Sequence, residues 1–254
     1  MLAIERRKEI LEKLQAEHRV VVSELSQRYG VSEETIRRDL EKLENEGYAI
    51  KSYGGAVINE NASLDFSFNV RKNRNIAGKQ LIARLVSRMV HDGESLMLDA
   101  SSTAVYIARA LKEKKNLIVI TNSIEIIIEL LDMTDWKVLS TGGASRVSSY
   151  ALVGPQTDKM LRDYHVDRAF VSCKGFDLDA GFTDSDELHA NNKKTMLDAA
   201  KEKILVVDSS KFGETAFVSI GALADINVVV TDKKPDDEWL QAFQAAGVDC
   251  VYPE

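Results

Sequence analysis

Seven short apolar runs, SLMLDA, NLIVIT, WKVLST, RAFVSC, KILVVD, NVVVT and VDCVY, recur between Ser95 and Tyr252. A strand with one wet face alternates apolar and polar residues, and these runs do not alternate. They are separated mostly by stretches of helical period, such as TAVYIARALK, SIEIIIELL, QTDKMLRDY and ELHANNKKTMLDAAK. Only a mostly parallel sheet covered by helices on both faces accommodates that order, so residues 75–254 are expected to form one α/β domain. The chain shows neither an internal repeat nor a low-complexity tract.

With 254 residues, the chain has room for a smaller domain ahead of that one. IERRKEILEKLQAE places Ile4, Ile10, Leu11 and Leu14 on one helical stripe, and VVVSELSQRYG reads as a short helix capped by Ser23 and ended by Gly30. In VSEETIRRDLEKLENEG, Ser32 is the expected N-cap, Ile36, Leu40 and Leu43 form a seam, and Gly47 is the expected stop. Two short helices joined by Gly30-Val31-Ser32 describe a helix-turn-helix. At about 100° per residue, Arg38 projects away from the seam and Arg37 from its flank. Ala49 to Tyr53, followed by Gly54-Gly55, reads as a hairpin, the wing of a winged helix, and carries Lys51. Residues 1–58 are therefore expected to form a winged helix-turn-helix. The polar stretch 59–74 is expected to be a linker with Phe66 and Phe68 as isolated apolar anchors.

Composition excludes several function classes. A formal charge of −7 argues against a protein that coats nucleic acid by bulk electrostatics. The first 58 residues are nearly neutral, with ten Lys/Arg against eleven Asp/Glu, so they can still make aimed contacts. Cys173 and Cys250 form no CxxC pair and the four histidines lack metal-site spacing, so reduced thiols and no metal are expected. No apolar run approaches the roughly 18 residues of a membrane span, and the N-terminus lacks a signal-peptide core, so a cytoplasmic protein without a membrane partner is expected.

Ligands of open α/β sheets bind beyond the carboxyl ends of the strands. The residues there are Asp99 to Thr103, Thr121-Asn122, Thr141 to Gly143, Cys173 to Gly175 and Asp208 to Lys211. LDASSTA runs from a strand into a helix, placing Ser101, Ser102 and Thr103 at a helix N-terminus suited to an anion. Lys174 and Lys211 would add positive charge beside it. A small phosphorylated, hydroxyl-rich ligand fits such a site. Each feature has a plainer reading: an N-cap for DASST, a turn for Gly142-Gly143, solvated side chains for the lysines, a buried small residue for Cys173, and a structural role for His189.

Residues 6–57 closely resemble the winged helix of DeoR-type bacterial transcription regulators, with VS-x-x-TIRRDL as signature and Gly-Gly after the wing. The resemblance continues through Arg71, Asn75, Lys79, Ile82 and Ala83, then Asp99 with Ser102-Thr103, Thr121-Asn122, Gly142-Gly143 and Gly154-Pro155. It extends through Lys174-Gly175, Gly181 to Thr183, Lys193, VDSSKFG and Thr231-Asp232. It implies a C-terminal sensor domain similar in fold to ribose-5-phosphate isomerase but without catalysis, binding a phosphorylated sugar and no cofactor. It also implies a regulator, mostly a repressor of sugar-catabolic operons, assembled as a homo-oligomer such as a dimer or tetramer. Ala100 stands where many members have glycine and His189 where glutamate is frequent, and both bear on the effector's identity. DASST with SCKGFD looks like the subgroup regulating deoxyhexoses such as fucose or rhamnose.

The resemblance implies that Ser32, Thr35, Arg37, Arg38, Lys42 and Lys51 contact operator DNA. It implies that Asp99, Ser101, Ser102, Thr103, Thr121, Asn122, Gly142, Gly143, Lys174, Gly175, Asp184 and Lys211 form the effector site. Two rivals come from other classes. One is an active sugar-phosphate isomerase fused to a DNA-binding module, with Asp184, Asp186 or Glu187 as base and Lys174 or Lys211 polarising a carbonyl. The other is a nucleotide-binding regulator, weakened by the absence of GxGxxG and GxxxxGK[ST] motifs.

Overall fold

The computed structural model describes residues 2–45, 48–58 and 68–253. The chain divides into two compact units, Met1–Asn73 and Arg74–Glu254. In the first, α1 (Ala3–Glu17), β1 (Arg19–Val21), α2 (Val22–Tyr29) and α3 (Glu33–Asn45) precede a hairpin of β2 (Ala49–Ser52) and β3 (Gly55–Ile58). Ile10, Leu14, Leu25, Ile36, Leu40 and Leu43 are all buried in one core, the helical seams projected above. Ser32 caps α3, its Oγ accepting the Thr35 amide at 3.2 Å, and Gly30 ends α2 in the left-handed conformation with φ 62°.

Three local expectations are corrected. Ile4 is 69% exposed, because it sits in the first turn of α1, ahead of the part that packs. Ser23 does not cap α2: the N-cap is Val21, and the Val22 amide is satisfied by the Gly54 carbonyl at 2.8 Å. The pairing of β1 with β3 delivers that acceptor, a contact no local pattern announces. Phe68–Asn73 forms a helix, α4, with Phe68 and Val70 buried, where sequence suggested an irregular linker. Gly47 and Phe66 lie outside the described residues.

The second unit begins with α5 (Ile76–Met89), β4 (Ser95–Leu98), α6 (Ser102–Ala110), β5 (Ile118–Thr121), α7 (Ile124–Leu130) and β6 (Lys137–Ser140). A hairpin of β7 (Ala144–Arg146) and β8 (Ala151–Val153) follows, then α8 (Pro155–Arg162), β9 (Val166–Val171), β10 (Gly175–Asp177), β11 (Gly181–Asp184) and α9 (Glu187–Asp198). The unit closes with β12 (Ala200–Val206), β13 (Val218–Gly221), β14 (Val228–Val230), α10 (Asp237–Ala246) and β15 (Asp249–Val251).

The seven apolar runs become the seven strands of one sheet, ordered β15-β14-β12-β9-β4-β5-β6, with every pairing parallel. Leu96, Met97, Leu98, Ile204, Leu205 and Val206 are fully buried, as a sheet covered on both faces requires. The antiparallel sheet β10-β11-β13 and the β7-β8 hairpin were not legible in the sequence. Their strands, such as GFD and ASR, are only three or four residues long, too short for a pattern to announce them. Among the described residues, no helix is long and apolar enough to cross a membrane.

At the opposite end of the sheet from the strand ends discussed above, Asp167 ties β9 to β4. Its carboxylate accepts the Ser95 amide at 2.9 Å, the Ser95 hydroxyl at 2.7 Å and Lys201 Nζ at 2.8 Å. Lys201 and Ser95 hold the Asp167 carboxyl far below the usual carboxylate range. A depressed folded-state pKa stabilises above the unfolded value of about 3.9, and that contribution disappears as pH falls through the folded value. Ser95→Ala removes one of the three donors, so the acid-unfolding midpoint of this unit, followed by circular dichroism, is expected to move to higher pH. An unmoved midpoint would refute the assignment.

Candidate functional site

Two surfaces carry the candidate residues, one in each unit. In the first unit, Thr35 is half-buried while Arg37, Arg38 and Lys42 are exposed on α3, and Lys51 is exposed on β2. Three of the cations are already paired: Arg37 with Glu33 at 2.8 Å, Arg38 with Glu34 at 3.4 Å, and Lys51 with Glu44 at 3.2 Å and Glu41 at 3.5 Å. Exposed pairs of this kind contribute at most about 1 kcal/mol, so a polyanion can replace the carboxylates at little cost. A groove of about 300 Å³ runs between α3 and the hairpin, lined by Glu34, Arg37, Arg38, Glu41 and Lys51.

What aims this face was missed in the sequence. Asp39, next to the arginine pair, is buried and bonds Arg6 Nε at 2.6 Å, with Arg7 at 3.6 Å. Two arginines of α1 thus hold α3 by its inner side. The signal was available: Asp39 stands three residues from Ile36 and four from Leu43, on the seam face.

In the second unit, strand order decides where a ligand crevice lies. From β4 the chain builds outward through β5 to β6, then returns to place β9 on the other side of β4 and builds the opposite way through β12, β14 and β15. The switch point is therefore between β4 and β9, where such sheets open a crevice at the carboxyl ends. Asp99 to Thr103 follow β4 and Ser172 to Gly175 follow β9, so two of the predicted loops flank it.

Asp99 organises this crevice. Its carboxylate accepts the Ser101 amide at 3.1 Å and the Ser172 amide at 2.9 Å, joining both loops. Ser101 caps α6, accepting the Ala104 amide at 3.1 Å, with Ser102 and Thr103 buried in the first turn. Lys193 of α9 enters from the side, buried, 3.6 Å from Asp99 and bonded to Asp184. Burial pushes the Asp184 carboxyl up, but Lys193 outweighs it, with His189 and Lys174 adding to the pull, and the net shift is down. Burial likewise pushes the Lys193 ammonium down, and Asp184 with Asp99 brings it above its ordinary value.

Asp208 repeats the pattern. Burial works upward on its carboxyl, and the Ser210 hydroxyl at 2.6 Å together with Lys211 shifts it down. Burial raises the Cys173 thiol to about 12, so it is no thiolate at neutral pH, as its plainer reading held.

Thr121 donates its hydroxyl to the Leu98 carbonyl at 2.7 Å. Asn122 is buried beside it and donates to the Leu152 carbonyl at 3.0 Å. Gly142 and Gly143 follow β6, beyond β5 from the switch point. Gly143 has φ 109°, and a Cβ there would lie 2.3 Å from Thr157 Oγ1. A Cβ on Gly175 would lie 2.3 Å from the Glu214 carbonyl oxygen, so a closely packed neighbour leaves no room for a side chain at either glycine.

Sequence reasoning quoted Lys193, Asn75, Lys79 and Asp232 only as pattern matches. Ala190, Lys193, Met196 and Leu197 share one buried face of α9, the spacing that marks Lys193 as inward-facing. Asn75 caps α5 and donates to Asp232 Oδ2 at 3.2 Å, while Asp232 Oδ1 accepts the Ser209 amide at 2.6 Å. Lys79 bonds the Arg74 carbonyl. The first residues of this unit are thus tied to the loop that carries Lys211.

Residues 6–62 match the DeoR-like helix-turn-helix domain and residues 74–233 the DeoR C-terminal sensor domain. The uncharacterized HTH-type transcriptional regulator YulB of Bacillus subtilis is 40% identical, over 96% of this chain and 94% of that protein. The L-fucose operon activator of Haemophilus influenzae is 34% identical over 90% and 91%, and the glycerol-3-phosphate regulon repressor of Escherichia coli 28% over 96% of each. Among solved structures, ribose 5-phosphate isomerase A of Methanocaldococcus jannaschii is similar over 53% of each chain, at 20% identity and a TM-score of 0.38, which says nothing about activity. Both units match over most of their length and a relative shares two residues in five, so the chain belongs to the DeoR family of helix-turn-helix transcriptional regulators.

Proposed function

We infer that the protein represses a sugar-catabolic operon, and that a phosphorylated sugar bound in the C-terminal unit controls its affinity for operator DNA. The observation that carries this reading is the switch-point crevice, where the N-terminus of α6 and the buried Lys193 face one another across Asp99. Arg37, Arg38, Lys42 and Lys51 supply the DNA contacts, with Ser32 and Thr35 at the helix N-terminus. Relatives named for an L-fucose operon and a glycerol-3-phosphate regulon agree with a sugar or sugar-phosphate effector. The protein acts in the cytoplasm as a dimer or larger homo-oligomer, reading paired half-sites. The Asp232 network transmits occupancy from the Ser209 to Lys211 loop to the point where the chain arrives from the DNA-binding unit. The ligand releases DNA only if it binds the non-DNA state more tightly.

The isomerase reading is disfavoured by the commitments of two of its three candidate bases. Asp184 is buried against Lys193, and Asp186 caps α9 and pairs with Arg146. The test is fluorescence anisotropy on a labelled duplex from upstream of the gene, at fixed salt, titrated with sugar phosphates and their unphosphorylated forms. One phosphorylated sugar is expected to change the affinity while its parent sugar does not. Specific binding that no sugar phosphate moves would remove the effector, and turnover of ribose 5-phosphate would restore the enzyme.

A further inference from the structure

We propose that Asn122 is the hydroxyl-recognising end of the sensor site, accepting a hydrogen bond from a ligand hydroxyl through Oδ1 while the ligand's phosphate lies at the Ser101 to Thr103 end. The inference rests on the sensor reading above and names the chemistry and orientation of the ligand.

Asn122 is 2% exposed, and its Oδ1 has no hydrogen-bond partner among the described residues. A buried amide oxygen left in that state costs about 1–3 kcal/mol, so a fold retains one only where something else supplies the donor. The assignment of oxygen and nitrogen is not free. Asp158 accepts Nδ2 of Asn192 at 2.6 Å, and an ionised carboxylate only accepts. That turns Asn192 Oδ1 toward Asn122, whose Nδ2 donates to it at 3.4 Å and to the Leu152 carbonyl at 3.0 Å. With Nδ2 doubly committed, Oδ1 is the buried acceptor left without a donor among the described residues.

Its location matches the crevice. Leu98 pairs with Thr121 in the register of β4 and β5, so Asn122 lies one strand from Asp99, at the same level. Consecutive residues of α9 reach the two positions, Asn192 to Asn122 and Lys193 to Asp99. The two ends of the site therefore ask for opposite chemistry. The α6 N-terminus favours an anion. Asn122 Oδ1 needs a donor, which a phosphate dianion lacks and a sugar or polyol hydroxyl provides.

The test is isothermal titration of the full chain with glycerol 3-phosphate, fructose 6-phosphate and glucose 6-phosphate, against propyl phosphate and inorganic phosphate. The best hydroxylated phosphate is expected to bind wild type about tenfold or more tighter than propyl phosphate. Asn122→Ala is expected to erase that preference while leaving the affinities for propyl phosphate and inorganic phosphate unchanged. Should that variant fail to fold, Asn122→Leu replaces it, because a side chain of the same shape fills the space and offers no acceptor. Full retention of the preference by the variant would overturn the role of Asn122 and leave the sugar-phosphate reading standing. If wild type binds inorganic phosphate as tightly as every hydroxylated one, the hydroxyl end does not exist. If no phosphorylated compound binds at all, the sensor reading fails and this inference fails with it.

Discussion

Arg38→Ala is expected to lower affinity for the specific duplex by about 5- to 150-fold per half-site, the equivalent of roughly 1–3 kcal/mol for one arginine to guanine contact. Thermal stabilisation by the effector is expected to stay at the wild-type value. Arg38 is exposed and its ion pair to Glu34, at 3.4 Å, is a surface contact, so its removal leaves the fold intact. The helix is held from its inner side by Asp39 with Arg6 and Arg7, which the substitution does not touch. Arg38→Lys separates two modes of contact. If Arg38 reads a guanine edge, lysine restores non-specific binding but not discrimination between duplexes; if it contacts phosphate alone, lysine restores nearly everything. Anisotropy with specific and scrambled duplexes at several salt concentrations measures both. Loss of DNA binding together with loss of effector stabilisation would refute the division of labour between the two units.

Lys193→Met is expected to destabilise the C-terminal unit by roughly 3–5 kcal/mol, because two buried carboxylates, Asp184 and Asp99, lose their cation. For a unit of this size that corresponds to a fall of roughly 6–20 °C in its calorimetric transition. The N-terminal unit keeps its own core of Ile10, Leu14, Leu25, Ile36, Leu40 and Leu43, and any transition of its own should not move. Adding Asp184→Asn to Lys193→Met should recover part of the loss, since removing both members of a buried pair leaves less uncompensated charge. A single variant that melts within about 2 °C of wild type would show that Asp184 and Asp99 do not depend on Lys193.

The match between sequence and structure is uneven for physical reasons. Runs such as KILVVD and NVVVT carried enough apolar residues to announce buried strands, and all seven of the predicted ones lie in the sheet. GFD, GFTD and VSIG carried none of that signal, yet they pair as β10, β11 and β13. Their pairing is held by partners up to about forty residues away rather than by their own pattern. The same contrast separates Ser32, whose cap is local, from Ser23, displaced as a cap by the carbonyl of Gly54. Of the residues around the crevice, Asp99 and Ser101 to Thr103 were legible as the step from a strand into a helix. Lys193 was legible only as one lysine of a pair, because its charge partners lie on β11 and after β4, far along the chain.

By itself the sequence determined what each strong segment would become, since helical and strand periods, the Ser32 cap and the Gly30 stop act over a few residues. It also determined family membership, through motifs spread along most of the chain. Strand order was decided by the tertiary structure alone. Helices on either face of the sheet choose the direction of each crossover through contacts between residues tens of positions apart. That order puts the switch point between β4 and β9, sets Asp99 against Ser172, and leaves Gly142 and Gly143 beyond β5. It also turns the buried acceptor of Asn122 away from Asn192 and Leu152, an orientation set by a carboxylate on α8.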